Sequence, residues 1–227
     1  WVKMSNKIID LEKSYITAAD VGERLKIDRQ YFQCLEGAIK TDPKNIKFLI
    51  HLGVLSWEPF HKQEQAITYL ERAIEYDPKN VDARFWLAKC YYHDYCNYEK
   101  AKQLLLEALQ LDPSRADCLC ILTSIIGDTT KDWHEAIGYL ENAILYAPDW
   151  PILYLCLASL YLRVNNVSSA MLQIHKLEKL LPLPQVSPRN AIEDYYETIV
   201  TCRNNRNIKQ EIAELRDKII KKNSSST

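Results

Sequence analysis

Three residues with one helical spacing, Cys90, His93 and Cys96, are the strongest candidates for chemistry in this chain. Thiolate and imidazole groups bind soft metals such as zinc, and residues three apart lie on one face of a helix. No fourth ligand accompanies them, and tyrosines crowd the same stretch. We interpret the group as a structural cysteine beside a histidine on a binding surface, and we predict no metal site.

A catalytic site is also not indicated. His134 and Glu135 begin like a zinc-protease motif, but Gly138 stands where the second histidine belongs. The pair is better explained as the start of a helix. The chain has five glycines, and it contains neither a glycine-rich phosphate loop nor a nucleophile-elbow sequence. We therefore predict that the protein is not an enzyme and uses no cofactor.

The composition excludes several classes of protein. The 227 residues carry a formal net charge of −1, and 47% are apolar and 26% charged, as in an ordinary globular protein. This balance gives no general attraction to nucleic acid or to an anionic membrane, so we expect neither as a partner. The longest apolar run, 151–162, is shorter than the roughly 20 residues that span a bilayer.

The cysteines indicate the compartment. They number seven, follow no disulfide spacing, and no secretory pattern stands at the N-terminus. Reduced cysteines that pack as small apolar residues explain this better than a disulfide framework does. We expect the cytoplasm, or else the nucleus.

An internal repeat organises the chain. Four prolines are spaced by 35 residues, and a fifth follows after 34: Pro43, Pro78, Pro113, Pro148 and Pro182. Alanines recur at fixed distances before them: Ala38, Ala66, Ala73, Ala101, Ala108, Ala136, Ala143 and Ala170. Small residues at matched helical positions let two helices approach closely, and proline ends the second helix. The repeat therefore predicts pairs of packed helices.

The apolar residues between the prolines follow the 3.6-residue period of a helix, and strand patterns are nearly absent. Polar breaks near Asn97, Asp132 and 165–166 divide each repeat and supply helix N-caps. The sequence predicts an all-α fold of twelve helices: 5–22, 25–40, 45–57, 62–75, 80–94, 97–110, 115–127, 132–146, 150–163, 166–181, 189–203 and 206–222.

The repeat resembles the tetratricopeptide repeat. That family's unit has a Leu-Gly/Ala pair and a Tyr in its first helix, Ala-large-Ala in its second, and a closing Pro. The third unit here matches it with Leu87, Ala88, Tyr91, Ala101, Leu105, Ala108 and Pro113. The second matches with Leu52, Gly53, Ala66, Leu70, Ala73 and Pro78. The fourth unit departs from the pattern at Thr123 and Ile126, and the first and last units depart further.

The resemblance implies a right-handed α-solenoid of about six stacked antiparallel helix pairs. We expect a divergent N-terminal repeat over 1–44 and four clear repeats over 45–182. A capping helix pair is expected over 183–222, and a disordered polar tail over 223–227. First helices would line the concave side.

The resemblance also implies where a partner binds. The concave groove would be lined by first-helix residues, of which the partner-binding candidates are His51, Val54, Phe85, Trp86, Lys89, Tyr92, Ile121, Ser124 and Leu155. Aromatic anchors in such a groove suit an extended or helical peptide. The expected function is a non-catalytic protein-interaction module, a scaffold or adaptor subunit. The competing explanation is that some of these side chains fill gaps between helices.

One tetratricopeptide function is argued against. Co-chaperones of this family hold the acidic C-terminal tail of chaperones with a clamp of Lys, Asn and Arg. The matching positions here are Ile50, Val54, Trp86, Asp117 and Ile121. A carboxylate would find no charge-assisted hydrogen bond among them, so we do not expect such a tail as partner.

Two alternatives remain open. An RNA-associated subunit would use the basic C-terminal helix, and a structural segment of a larger complex would bury its convex face. The C-terminal helix also carries an apolar stripe of Ile208, Ile212, Leu215 and Ile219. The stripe either caps the solenoid by packing on 189–203 or serves as a dimerisation or partner helix.

Overall fold

The computed structural model describes residues 21–58, 60–180 and 212–221, and all regular structure in these ranges is helical. The described residues fall into two compact units. Unit 1 contains α1 (Val21–Thr41), α2 (Ile46–Trp57), α3 (Gln63–Tyr76), α4 (Val81–His93) and α5 (Tyr98–Leu111). Unit 2 contains α6 (Ala116–Thr129), α7 (Trp133–Tyr146), α8 (Pro151–Arg163), α9 (Val167–Lys179) and α10 (212–221).

The helices pack in the order in which they follow one another. The pairs α2–α3 and α4–α5 form in unit 1, and α6–α7 and α8–α9 form in unit 2. Turns as short as 94–97 and 164–166 make the two helices of a pair run antiparallel. The expected all-α class is confirmed.

One expected boundary is wrong. The sequence predicts that one helix ends at 22 and another begins at 25, but α1 runs without a break through this stretch. Glycine is less favourable than alanine in a helix by about 1 kcal/mol, which weakens a helix without ending it. The expected helix 189–203, the tail 223–227, and the segments 5–20 and 206–211 lie outside the described residues.

The first two turns between repeats are built from an Asp-Pro sequence and the asparagine two residues after it. The side chain of Asn80 accepts a hydrogen bond from the Ala83 amide at 2.9 Å, which caps α4. Its Nδ2 donates to the Asp77 carboxylate at 3.2 Å. The same arrangement caps α2 through Asn45, 35 residues earlier. These bonds satisfy amides that a helix N-terminus leaves open.

Within each pair the helices touch at small residues. The repeat alanines of α3, α5, α7 and α9 are fully buried. At Gly53 a Cβ atom would lie 2.7 Å from Leu70 Cγ, closer than two carbons can approach. The equivalent positions in the next repeats are Ala88, Thr123 and Ala158, all buried. Only a small side chain fits where α2 crosses α3.

A second repeating feature lies in the turn inside each pair. His61, Cys96, Lys131 and Asn165 have positive φ angles of 51°, 48°, 56° and 59°. Each reverses the chain after the first helix of its pair and lies two residues before the second helix begins. Left-handed backbone is unfavourable for residues with a Cβ, although asparagine tolerates it better than most. Sequence analysis identifies the polar breaks here but not this conformation.

We expect Ala101→Leu to lower the free energy of unfolding by roughly 1–3 kcal/mol, because the longer side chain overpacks the α4–α5 crossing. Denaturant unfolding measures this. Lys102→Leu is the matched control, since Lys102 is exposed on the same helix. Equal stability of the two variants would contradict the close crossing.

Lys131→Gly is expected to raise the free energy of unfolding by about 0.5–1 kcal/mol. Glycine removes the steric cost of positive φ, and this gain exceeds the added entropy of the unfolded chain. Thr130→Gly is the control, because Thr130 has an ordinary φ of −95°. A loss of stability in both variants would show that the turn is not strained at Lys131.

Candidate protein-interaction surface

An aromatic cluster surrounds one lysine in unit 1. The cluster consists of Trp57 at the end of α2 and of residues on α4: Phe85, Trp86, Tyr92 and His93. The Nζ atom of Lys89 lies 4.1 Å from the Trp86 ring centroid, 4.9 Å from that of Trp57 and 5.7 Å from that of Phe85. We call this group the α4 aromatic cluster.

Helical spacing brings these groups together. Phe85 and Trp86 precede Lys89 by four and three residues, so all three lie on one face of α4. The Glu58 carboxylate lies 3.8 Å from the Lys89 ammonium. The Trp57 indole N–H donates a hydrogen bond to the carboxylate of Asp94, the residue that caps α4. The lysine is therefore held by ring faces and by an acidic partner.

Burial separates the members of the cluster. Phe85 and Trp86 are 8% and 4% exposed and belong to the interior. Lys89 and Tyr92 are partly buried, and His93 is exposed. Burial, with a smaller effect of the Lys89 ammonium, lowers the pKa of His93. The accessible part of the cluster thus consists of Trp57, Lys89, Tyr92 and His93, while Phe85 and Trp86, the two rings expected to line the groove, are buried.

Two predicted site residues of α2 are also interior. Val54 is buried, and His51 is 8% exposed. The hydroxyl of Tyr31 lies 2.8 Å from His51 Nδ1. Burial, with the Lys47 ammonium as a lesser cause, lowers the pKa of His51 to about 4. His51 is a hydrogen-bonded interior histidine, and any role in partner binding stays a prediction for both residues.

Unit 2 carries the remaining predicted residues. Ile121 is partly buried, and Ser124 is exposed with its hydroxyl donating to the Cys120 carbonyl at 3.3 Å. Leu155 is buried in an apolar cluster with residues of α9 and α10. At 3% exposure it does not line an open surface.

The apolar stripe of the C-terminal helix has its place in the same cluster. Ile212, Leu215 and Ile219 pack with residues of α8 and α9, among them Ala158, Leu162, Ile174 and Leu177. An ion pair between Arg216 and Glu178 joins α10 to α9. The helix therefore packs on the preceding helix pair; the expected contact with 189–203 lies outside the described residues.

The candidate metal ligands do not form a site. Among the described residues no group of three His, Cys, Asp or Glu side chains could hold an ion. Cys90 is buried, and burial raises the pKa of its thiol to about 12. Cys96 is exposed beyond the end of α4. The Cys120 thiol is hydrogen-bonded to Cys156, which raises its pKa well above the usual value.

The zinc-protease-like pair has the structural role expected for it. Asp132 accepts hydrogen bonds from the amides of His134 and Glu135, at 3.2 and 3.0 Å, and so begins α7.

The described cysteines are free thiols. In the ranges that the structure describes, no helix combines the length and the apolar character needed to cross a bilayer.

Sequence reasoning did not identify the contact between Lys89 and the three rings. The spacing of Phe85, Trp86 and Lys89 on one helix was a usable signal. Trp57 could be added only from the packing of neighbouring first helices, since 32 positions separate it from Lys89 in the sequence. The burial of Phe85 and Trp86 depends on the same packing.

Comparison with protein families agrees with the repeat. Residues 62–119 match the model of the tetratricopeptide repeat. No curated protein matches the chain. The resemblance drawn from the repeat's alanines and prolines is thereby confirmed.

Solved structures are similar over most of the chain. A protein described as a thermophilic TPR protein in Thermus thermophilus, TTC0263, is 16% identical with a TM-score of 0.63, covering 86% of this chain and 99% of that one. PilF of Pseudomonas aeruginosa is 18% identical with a TM-score of 0.62, covering 92% and 89%. MamA is 19% identical with a TM-score of 0.56, covering 72% and 95%. At these identities the likeness shows the fold alone, an all-α solenoid of stacked helix pairs.

The buried His51 makes stability depend on pH. Its pKa is lowered from 6.5 in the unfolded chain to about 4 in the fold, so the unfolded chain binds the proton first as the pH falls. The stability present above pH 6.5 is lost as the pH falls towards 4. We expect His51 to account for a loss of roughly 2 kcal/mol between about pH 7 and about pH 5.

Denaturant unfolding at several pH values measures this dependence. His51→Gln should flatten the slope, because the amide does not titrate and still offers Tyr31 a hydrogen-bond partner. His134→Gln, at an exposed position, should keep the full slope. An unchanged slope in His51→Gln would show that another group causes it.

Proposed function

We propose that the chain is a non-catalytic protein-interaction module, a scaffold or adaptor subunit, that binds a peptide or helix of a partner protein. The binding surface is the accessible edge of the α4 aromatic cluster. The observation that carries this proposal is the set of aromatic rings around Lys89, with Tyr92 and His93 at its edge. We expect it to act in the cytoplasm or nucleus, in keeping with its free thiols.

The chemistry of the cluster suits protein recognition. Aromatic side chains supply large contact areas at a small entropic cost, and binding energy concentrates on such residues. The interior rings of Phe85 and Trp86 fix the position of Lys89 from below. A fixed cation beside an aromatic edge can accept both an apolar and a carboxylate-bearing side chain of a peptide.

The fold supports the same proposal in a general way. Stacked helix pairs provide extended surfaces on which residues from several repeats act together. The acidic-tail clamp of co-chaperones remains unexpected, because its positions are apolar or, at Asp117, acidic and ion-paired with Arg115. A protein partner of another kind is therefore proposed.

A second candidate is a structural segment of a larger complex. Large apolar side chains are exposed on the second helices of unit 2, with Leu145 78% exposed and Tyr146, Met171 and Leu172 each more than half exposed. Such side chains favour burial against another subunit. In this case the second-helix face would bind the partner.

We expect the double substitution Lys89→Gln/His93→Ala to weaken partner binding at least about tenfold, because it removes the fixed cation and the exposed ring. Affinity purification from lysate, read by quantitative mass spectrometry, compares it with the wild type. Phe85 and Trp86 are left unchanged, since truncating a buried aromatic side chain costs about 3–5 kcal/mol and would unfold unit 1.

Lys102→Gln/His134→Ala is the matched control, one exposed lysine and one exposed histidine outside the cluster. Circular dichroism melting confirms that both double variants are folded. Partners retained equally by the test variant and the control would place binding elsewhere. Loss of the same partners with Leu145→Ser/Leu172→Ser would support the structural-segment alternative instead.

A further inference from the structure

A cleft of about 490 Å³ lies between α8 and α10 in unit 2. It is lined by Ser159, Leu162, Arg163, Leu215, Lys218 and Lys221. Three of these six side chains are cationic and none is acidic. Its volume is in the range of about 300–1,000 Å³ that is typical of binding sites for small groups.

Packing of the C-terminal helix creates this cleft. The apolar cluster that includes Leu162 and Leu215 holds α10 against α8. Lys218 and Lys221 follow Leu215 at successive steps of three residues, so they lie along one side of α10. On α8 the guanidinium carbon of Arg163 lies 4.7 Å from the ring centroid of Trp133, which fixes the side chain by stacking.

The charges of the cleft are not neutralised within the described part of the chain. There, the ion pairs of unit 2 join Arg115 with Asp117 and Arg216 with Glu178, and none involves a cation of the cleft. Basic residues at helix C-termini compensate the helix dipole, and that would explain each cation separately. It does not explain why cations of two helices face one cavity.

We propose that this cleft binds an acidic peptide segment of a partner protein. Carboxylates of the segment pair with Arg163, Lys218 and Lys221, of which the guanidinium offers a bidentate contact. An aliphatic side chain of the segment packs on Leu162 and Leu215. The Ser159 hydroxyl is a further donor or acceptor for the peptide backbone.

A peptide suits the cleft better than a nucleic acid does. The apolar lining consists of leucines and offers no aromatic face on which a base could stack. Three cations neutralise few phosphates, so little of the counterion release that drives nucleic-acid binding is available here. A short acidic peptide needs neither an aromatic stacking face nor a large number of cations.

The inference rests on the proposed role as an interaction module but not on the α4 aromatic cluster. The test uses the full chain and a fluorescein-labelled peptide of alternating Glu and Leu, followed by fluorescence anisotropy. The same peptide with Gln in place of Glu is the comparison ligand, and a short oligo-dT strand tests the nucleic-acid alternative. Lys218→Glu/Lys221→Glu reverses two charges of the cleft.

The matched control is Lys176→Glu/Lys179→Glu, two exposed lysines of the last turn of α9 that do not line the cleft. We expect the Glu peptide to bind the wild type and the control alike, and the cleft variant about tenfold or more weakly. The wild type should bind the Gln peptide no more tightly than the cleft variant binds the Glu peptide.

Several results would overturn the inference. These are no binding of the Glu peptide, equal weakening in the cleft and control variants, or preferential binding of oligo-dT. If the Glu peptide depends on the cleft while lysate partners do not depend on the α4 cluster, the cleft proposal stands and the α4 proposal fails. If lysate partners depend on the α4 cluster while the Glu peptide does not depend on the cleft, the α4 proposal stands and the cleft proposal fails.

Discussion

The close approach of paired helices is the constraint on which the rest of this structure depends. Gly53 meets Leu70 with no room for a Cβ atom, and the corresponding positions in later repeats carry Ala88, Thr123 and Ala158. Thr123 is accommodated because its buried hydroxyl donates to the Leu119 carbonyl at 2.8 Å. Once the crossing point of a pair is set by small residues, the direction of each side chain around both helices follows from the helical period. Burial at the crossings therefore decides which residues remain available for binding.

The repeat was predictable because its signals lie within single repeats. Alanine and proline positions and the asparagine caps act over distances of a few residues, and they indicated nine of the described helices to within a few positions. The positive φ angles at His61, Cys96 and Lys131 could not be predicted in this way. Cysteine and lysine do not favour that conformation, and at all three positions it is imposed by the need to join two helices already held together by packing. The helix propensity of glycine also misled the prediction at Gly22, which is helical as part of α1.

The site was less predictable than the fold, for a physical reason. Whether a side chain on the first helix of a repeat is accessible or buried depends on the neighbouring helices. Those contacts join different repeats and cannot be read from the spacing within one repeat. Phe85 and Trp86 lie on the expected face of α4 but are buried, with Trp57 of α2 next to Trp86. Leu155 is buried in a cluster with α10, a helix distant in sequence. Spacing predicts that Phe85, Trp86 and Lys89 share one face of α4, whereas their exposure depends on the packed structure.

The cations of the two proposed binding surfaces differ in whether a carboxylate of the protein itself already pairs with them. This difference determines how each surface could bind a peptide. Lys89 already contacts three rings and the Glu58 carboxylate. A carboxylate of a partner would have to replace Glu58 beside the ammonium, which gains little free energy. In the proposed complex, apolar contact with the cluster therefore supplies most of the affinity. Arg163 stacks on the Trp133 ring, but no ion pair in the described chain joins it, Lys218 or Lys221 to a carboxylate. The proposed acidic ligand would therefore pair with these cations without displacing an internal carboxylate. Charge pairs of that kind act mainly on the association rate and on selectivity, whereas buried aromatic contacts act on dissociation. With a net charge near zero, the protein has no general electrostatic field to select partners, so the interactions proposed above depend on such local arrangements.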